Sequence, residues 1–343
     1  MAEAHSPISV GVVGAGVFGR NHLRIYRDLQ QGGRPIQLAA IVEADTTRAA
    51  ALWEEWRVPV YPSVDACLDA RRRGEIQLDA ASVCVPTSAH HSIAAPLLAG
   101  GIDLLVEKPI ATDIAQAADL LALAEKHSRI LAVGHLERFN PAVSTVRSSL
   151  NRPMFFEAHR LSVFTPRALD VDVVLDLMIH DLDIVLSFAQ SPVRDLRAVG
   201  LPILSPKVDI ANVRVEFESG CVANFTASRV STERVRKLRF FQPHQYISID
   251  YARQDVLVID VDPRAAPVPA FPGLPPGLAM RKLPVQPGEP LMLEIDSFLD
   301  CVRTREAPRV SGQEGLDALT LALDINNAIA THARRAGLDA FTR

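Results

Sequence analysis

The chain has 343 residues, with 36 basic and 40 acidic side chains and a formal charge of −4, so no excess positive field draws it to nucleic acid or to an anionic membrane. Four scattered cysteines without a C-x-x-C pair argue against a zinc site or disulfide framework and for a reducing compartment. With no signal-like N-terminal segment and no apolar run of about 18 residues, the expected location is the cytoplasm, and the length suggests about two domains.

The first elements are a strand from Ile8 and a helix from Phe18 to Gln31, joined by Gly14-x-Gly16-x-x-Gly19. This is the setting in which a glycine turn binds a dinucleotide: Gly14 for the turn, Gly16 for close approach of a pyrophosphate, Gly19 for helix packing, and the helix N-terminus for the anion. A second apolar strand, Ile36 to Val42, ends at Glu43, 24 residues after Gly19. An acid at roughly this offset meets the ribose hydroxyls and repels a 2′-phosphate, so NAD is favoured over NADP. Asp45 is expected to cap a helix from Thr46.

Helices near 63–70, 90–99 and 114–127 alternate with strands at 80–85, 103–106 and 130–133. Repeated βα units predict a parallel sheet, with ligands beyond the carboxyl ends of its strands. Two loops lie there: Pro86-Thr87 with His90, and Glu107-Lys108-Pro109. On spacing alone Lys108 is either a solvated lysine or a functional cation, and His90 either a capping histidine or a site residue.

Beyond Gly134-His-Leu-Glu-Arg-Phe-Asn-Pro141 the pattern changes to short alternating segments at 155–163, 212–218, 221–228, 238–241, 246–249 and 256–260, which predicts a mostly antiparallel sheet. Between the first two, a helical stretch from Asp172 to Leu186 places Asp176, His180 and Asp183 at i, i+4 and i+7, on one face. That face is either the solvated side of an amphipathic helix or an imidazole oriented by carboxylates for proton transfer. Residues 263–290 hold nine of the 24 prolines and predict an irregular arm. Helices near 291–302 and 315–330 close the chain. The basic run Arg229, Arg234, Arg236, Lys237 and Arg239 suits either a solvated strand face or a substrate phosphate.

Taken together, Gly14-Ala-Gly-Val-Phe-Gly19, Val85-Pro-Thr87 with His90, Val106-Glu-Lys-Pro109 and Leu175-Asp-x-x-x-His-x-x-Asp183 resemble the Gfo/Idh/MocA oxidoreductases in order and spacing, from about Ser9 to Ala330. The resemblance implies an α/β Rossmann domain with a parallel sheet, placed at 1–135. It also implies an α+β domain at 136–343 with a large, mostly antiparallel open sheet for substrate binding and oligomerisation, whose C-terminal helix could pack back on the first domain. The implied activity is NAD-dependent oxidation or reduction of a sugar or polyol.

Carried over by position, Lys108 matches the lysine that contacts the reacting hydroxyl, and Asp176 and His180 match helix residues facing the nicotinamide. The implied cofactor contacts are Gly14, Gly16, Val17, Phe18, Gly19, Glu43, Pro86, Thr87, His90, Glu107, Lys108 and Pro109. Those to substrate are Lys108, Arg138, Asn140, Arg167, Asp176 and His180, with no metal. Met178 departs from the glycine common there, and is expected to narrow the substrate side.

Three stretches (134–141, 176–183 and 226–231) resemble a narrower bacterial branch that includes UDP-N-acetylglucosamine 3-dehydrogenases, which supply a 3-keto sugar for amination in lipid A assembly. The expected partner is therefore a nucleotide sugar, and the expected assembly a homodimer or homotetramer. A free sugar or polyol dehydrogenase and a non-catalytic NAD-binding regulator are the alternatives.

Overall fold

The computed structural model describes residues 6–164, 171–261 and 277–338. These form two compact units: the first runs to Leu136 and includes Glu289–Leu319, and the second comprises Glu137–Gly288 and resumes at Thr320. Among the described residues no helix is long and apolar enough to cross a membrane.

In the first unit β1 (Ile8–Val13), β2 (Ile36–Val42), β3 (Val60–Tyr61), β4 (Ala80–Val83), β5 (Asp103–Glu107) and β6 (Leu131–Gly134) make one parallel sheet in the order β3-β2-β1-β4-β5-β6. Every residue of β1, β4, β5 and β6 is buried, as expected of strands covered on both faces, which is why they read as unbroken apolar runs. Helices α1 (Val17–Gln31), α2 (Thr46–Trp56), α3 (Val64–Arg72), α4 (His90–Ala99) and α5 (Ile114–Lys126) connect them. Asp45, Ser63 and Asp113 accept backbone N–H bonds as the N-caps of α2, α3 and α5, so short polar side chains set where these helices start.

The core of this unit joins Val10, Val12, Leu23, Tyr26 and Ile41 to Ile295, Phe298 and Leu299 of a helix spanning Pro290–Thr304. That late helix is further tied down by ion pairs from Arg34 to Asp296 (2.7 Å) and Asp300 (2.5 Å). The strand order reverses between β1 and β4, and the crevice at such a point is where open α/β sheets take ligands. Both the glycine turn after β1 and the Pro86-Thr87 loop after β4 therefore sit at the switch point.

The second unit holds β7 (Phe155–Val163), β8 (Val193–Leu201), β9 (Ile210–Phe217), β10 (Val222–Ser231), β11 (Val235–Gln242), β12 (Gln245–Asp250), β13 (Asp255–Val261) and β14 (Leu278–Lys282). They form one open sheet, β14-β13-β12-β11-β7-β10-β9-β8, antiparallel except where β10 runs parallel to β7. α6 (Pro141–Val146) and α7 (Ile179–Ala189) belong to this unit, and Phe188 of α7 packs on Phe156 and Phe240 with ring centroids 6.4 and 5.9 Å away.

Three strands escape a reading of the pattern, the two-residue β3 among them. The edge strand β8 carries exposed charges in Val193-Arg-Asp-Leu-Arg, so its alternation is weak. β14 corrects the expectation of an irregular arm over 263–290: Leu278–Lys282 contains no proline and pairs with the edge of β13. The rest of that arm up to 276 lies outside the described residues.

Candidate active site

In the first unit the carboxyl ends of β2, β1, β4 and β5 bring the predicted cofactor residues to one edge of the sheet. Gly14 adopts φ +84°, where a side chain would be strained, and a Cβ there would meet Val85 at 2.7 Å. A Cβ on Gly19 would lie 1.9 Å from the carbonyl oxygen of Gly14, whereas one on Gly16 would meet nothing within 4 Å. The turn is thus closed by two glycines and left open at the third. Gly16 caps α1 without any side-chain bond, so the first N–H groups of that helix remain for an anion. Val17 (73 % exposed) and Phe18 flank them at the surface. This cradle fits a dinucleotide pyrophosphate.

Glu43 is buried and its carboxylate accepts from Ala15 N (3.1 Å) inside the glycine turn and from Asp45 N (3.0 Å). Arg48 Nε pairs with it at 3.2 Å. A carboxylate has about four lone-pair directions, so three engaged donors leave capacity for one ribose hydroxyl.

The two loops expected at the switch point are joined by one imidazole. His90 is 1 % exposed, with Nδ1 2.9 Å from the carbonyl of Pro109 and Nε2 2.9 Å from that of Val85. Burial pulls its pKa below the ordinary histidine value, with the bonds at Val85 and Pro109 opposing. His90 is therefore a strut between the loops, with each ring nitrogen facing a backbone carbonyl. Pro86 is exposed and Thr87 half-buried beside it.

On the second loop Lys108 is half-buried and precedes Pro109 through a cis peptide bond. Glu107 is buried behind it, bonded to His22 Nε2 at 3.1 Å. Gly134 makes room for that carboxylate, since a Cβ there would sit 2.8 Å from it. Glu107 thus anchors the loop from within. His22 lay unremarked in the sequence, although it stands one turn after Phe18 on α1.

In the second unit Asp176 and His180 are half-buried near the start of α7. Val174–Met178 winds as a π-helix, which widens the turn and shifts the helical phase. Asp183, three residues after His180 within α7, is 2 % exposed and pairs with Arg138 at 3.2 Å. Met178 is 1 % exposed.

Arg138 and Asn140, expected to touch substrate, are each 2 % exposed. Asn140 donates to the Tyr251 carbonyl (3.1 Å) and accepts from Ala142 N as the cap of α6. These bonds of Asn140, and the pairing of Arg138 with Asp183, lie within the second unit. Arg167 lies outside the described residues.

Next to them Arg160 bonds both oxygens of Asp181 (2.8 and 3.0 Å) and Glu137 (3.0 Å). Burial works against its charge, but Asp181 and Glu137 together raise its pKa above the ordinary value. The basic run does not converge on one ligand: Arg229 is buried near Asp209, Lys237 pairs with Asp250 and Arg239 with Glu157.

Comparison with known proteins agrees with this architecture. The Gfo/Idh/MocA oxidoreductase model with an NAD-binding Rossmann fold matches residues 8–135, and the C-terminal domain model of the same family matches 142–243. UDP-N-acetylglucosamine 3-dehydrogenase of Acidithiobacillus ferrooxidans is 33% identical over 95% of this chain and 98% of its own. A solved structure of that enzyme superposes with a TM-score of 0.84 at 32% identity, covering 95% of this chain and 98% of that one. D-apiose dehydrogenase of Paraburkholderia graminis is 25% identical over 90% of this chain and 84% of its own. Inositol 2-dehydrogenase of Leifsonia xyli is 28% identical over 54% and 55%.

Proposed function

The chain belongs to the Gfo/Idh/MocA oxidoreductase family, and from that premise we propose that it is an NAD-dependent dehydrogenase oxidising C3 of a UDP-N-acetylhexosamine to a ketone. The observation that carries this reading is likeness along 95% of the chain to a UDP-N-acetylglucosamine 3-dehydrogenase. The product would be a 3-keto sugar for amination in lipid A or surface-polysaccharide assembly. Residues 1–135 would bind the dinucleotide and 136–343 the sugar, with Arg167 among its contacts.

When bound, NAD+ supplies the hydride acceptor. The N–H groups after Gly16 hold the pyrophosphate, and Glu43 takes a ribose hydroxyl. His180 accepts the proton of the sugar hydroxyl, because an imidazole ordinarily titrates near neutrality and can both lose and take a proton there. Lys108, a cation, stabilises the developing alkoxide, and Asp176 fixes the geometry of that exchange. Glu107 and His90 hold the Lys108 loop in place.

We further assign a homodimer or homotetramer built on the outer face of the large sheet. Register neighbours Val222, Phe155, Phe241, Tyr246, Ile259 and Met280 form an unburied apolar row across six strands there. Such a row favours cover by a second copy. Four unpaired thiols suit the cytoplasm.

Incubation with NAD+ and UDP-N-acetylglucosamine, against free aldoses and inositols, tests the proposal by NADH absorbance. NADH formed only with the nucleotide sugar is the expected result. Turnover of inositol alone would favour the polyol reading, to which the inositol 2-dehydrogenase likeness lends support.

A further inference from the structure

The turn that leads into α7 and carries Asp176 is held from outside by groups that the proposed reaction does not use. Asp172 Oδ1 accepts from Val174 N at 2.9 Å and from Leu175 N at 3.0 Å, while its Oδ2 accepts from Asn326 Nδ2 at 3.0 Å. The Asp172 carbonyl accepts from Asp176 N at 3.0 Å. On either side of it, Val173 N donates to the Val208 carbonyl at 2.9 Å, and Arg229 Nη2 donates to that of Val171 at 2.6 Å. All of these residues belong to the second unit.

The turn fixed in this way is not an ordinary one. Val174–Met178 is a π-helix, closed by Ile179 N on the Val174 carbonyl, a winding that is rare and found mostly at functional sites. Asp172 takes the N–H groups of its first two residues, as a capping side chain does. A cap needs only one oxygen for that work, yet here the second is gripped by a side chain 154 positions away. Asp176 lies inside the π-turn and His180 in the α-helix just after it, so the winding sets where the carboxylate stands relative to the imidazole.

We propose that Asp172 is a positioning residue of the dehydrogenase: held by Asn326, it fixes the π-turn so that Asp176 keeps the placement against His180 that proton transfer needs. It acts through Asp176 and has no chemical step of its own. The inference rests on the dehydrogenase reading and deepens it on the sugar side.

Steady-state turnover of the full-length protein, beside NADH titration and urea unfolding, tests this. Asp172→Ala should lower kcat about ten- to a hundredfold, the scale of a small displacement of groups that react together, with NADH affinity unchanged. Asp172→Asn keeps an acceptor for the two N–H groups and should hold kcat within about threefold of native, since Asp and Asn cap equally well. In an Asp176→Ala background, Asp172→Ala should cost less than about twofold more, because the side chain it positions is gone. Exchange of partners gives a second route should Asp172→Ala fail to fold. Asn326→Asp sets two carboxylates against each other and should lower kcat about tenfold, the scale of one hydrogen bond to a charged group. Adding Asp172→Asn restores one amide and one carboxylate and should recover most of that loss.

An Asp172→Ala protein that turns over as fast as the native, a loss equally large without Asp176, or an exchange that recovers nothing overturns this inference and leaves the sugar assignment standing. Native protein that oxidises inositol instead of the nucleotide sugar removes the sugar assignment alone, and the same variants measured with inositol then decide the role of Asp172. Native protein that oxidises no sugar with NAD+ overturns both.

Discussion

His22 and Glu107, 85 positions apart, meet behind the glycine turn with Nε2 and Oε1 at 3.1 Å and the histidine wholly buried. The bond ties the helix that follows the dinucleotide turn to the loop carrying Lys108. Loss of either partner leaves a buried polar group without its bond, which costs more than the bond itself contributes.

His22→Ala should therefore lower the free energy of unfolding by about 2–4 kcal/mol, from the lost bond and the cavity together. Urea unfolding measures this. A loss below about 1 kcal/mol would mean that Glu107 is held without the histidine.

Arg160 poses a sharper test of buried charge. Arg160→Met leaves Asp181 and Glu137 without their shared cation and should cost about 3–5 kcal/mol, while apolar replacement of all three should restore much of that loss. Thermal and urea unfolding of the single and triple variants would expose a surface-like pair if the single change proved nearly silent.

Lys108→Met should leave NADH affinity nearly unchanged and reduce kcat on the order of a hundredfold, since the cation acts on charge that develops only during reaction. Stopped turnover assays and NADH titration separate the two effects. A variant with undiminished kcat would remove Lys108 from the mechanism.

His180→Asn should slow turnover on the order of a hundredfold and abolish the acid limb of the kcat/KM pH profile, the signature of an essential base. If that limb persists unchanged in H180N, the proton goes to another group and Lys108 becomes the better base.

His90 gives stability a definite pH dependence. Its folded pKa lies below 6.5 because burial disfavours the cation, so the unfolded chain binds the proton more readily. Stability from this site is complete above about pH 6.5 and is lost as the pH falls from there through the lower folded value. His90→Asn should flatten that part of the stability profile, measured by chemical unfolding across the acid range. An equally steep decline in the variant would place the effect elsewhere.

Much of this protein was legible before any coordinates. The parallel strands are short apolar runs broken by glycine and caps, and the helices α2, α3 and α5 start at Asp45, Ser63 and Asp113, because these signals act through neighbours in the chain. β8 and β14 were not legible, since edge strands obtain their identity from one partner and not from their own pattern.

The alternation of βα units, the glycine turn and the acid at the end of β2 are local, and the chain alone determined them. Which partners Arg138, Asn140 and Asp183 take was a matter for tertiary structure. The same holds for the bonds of Glu43 to Arg48 and of Glu107 to His22. The physical reason is that periodicity specifies which side of an element is apolar, whereas the partner of a buried charge is chosen by the packing of segments distant in the chain.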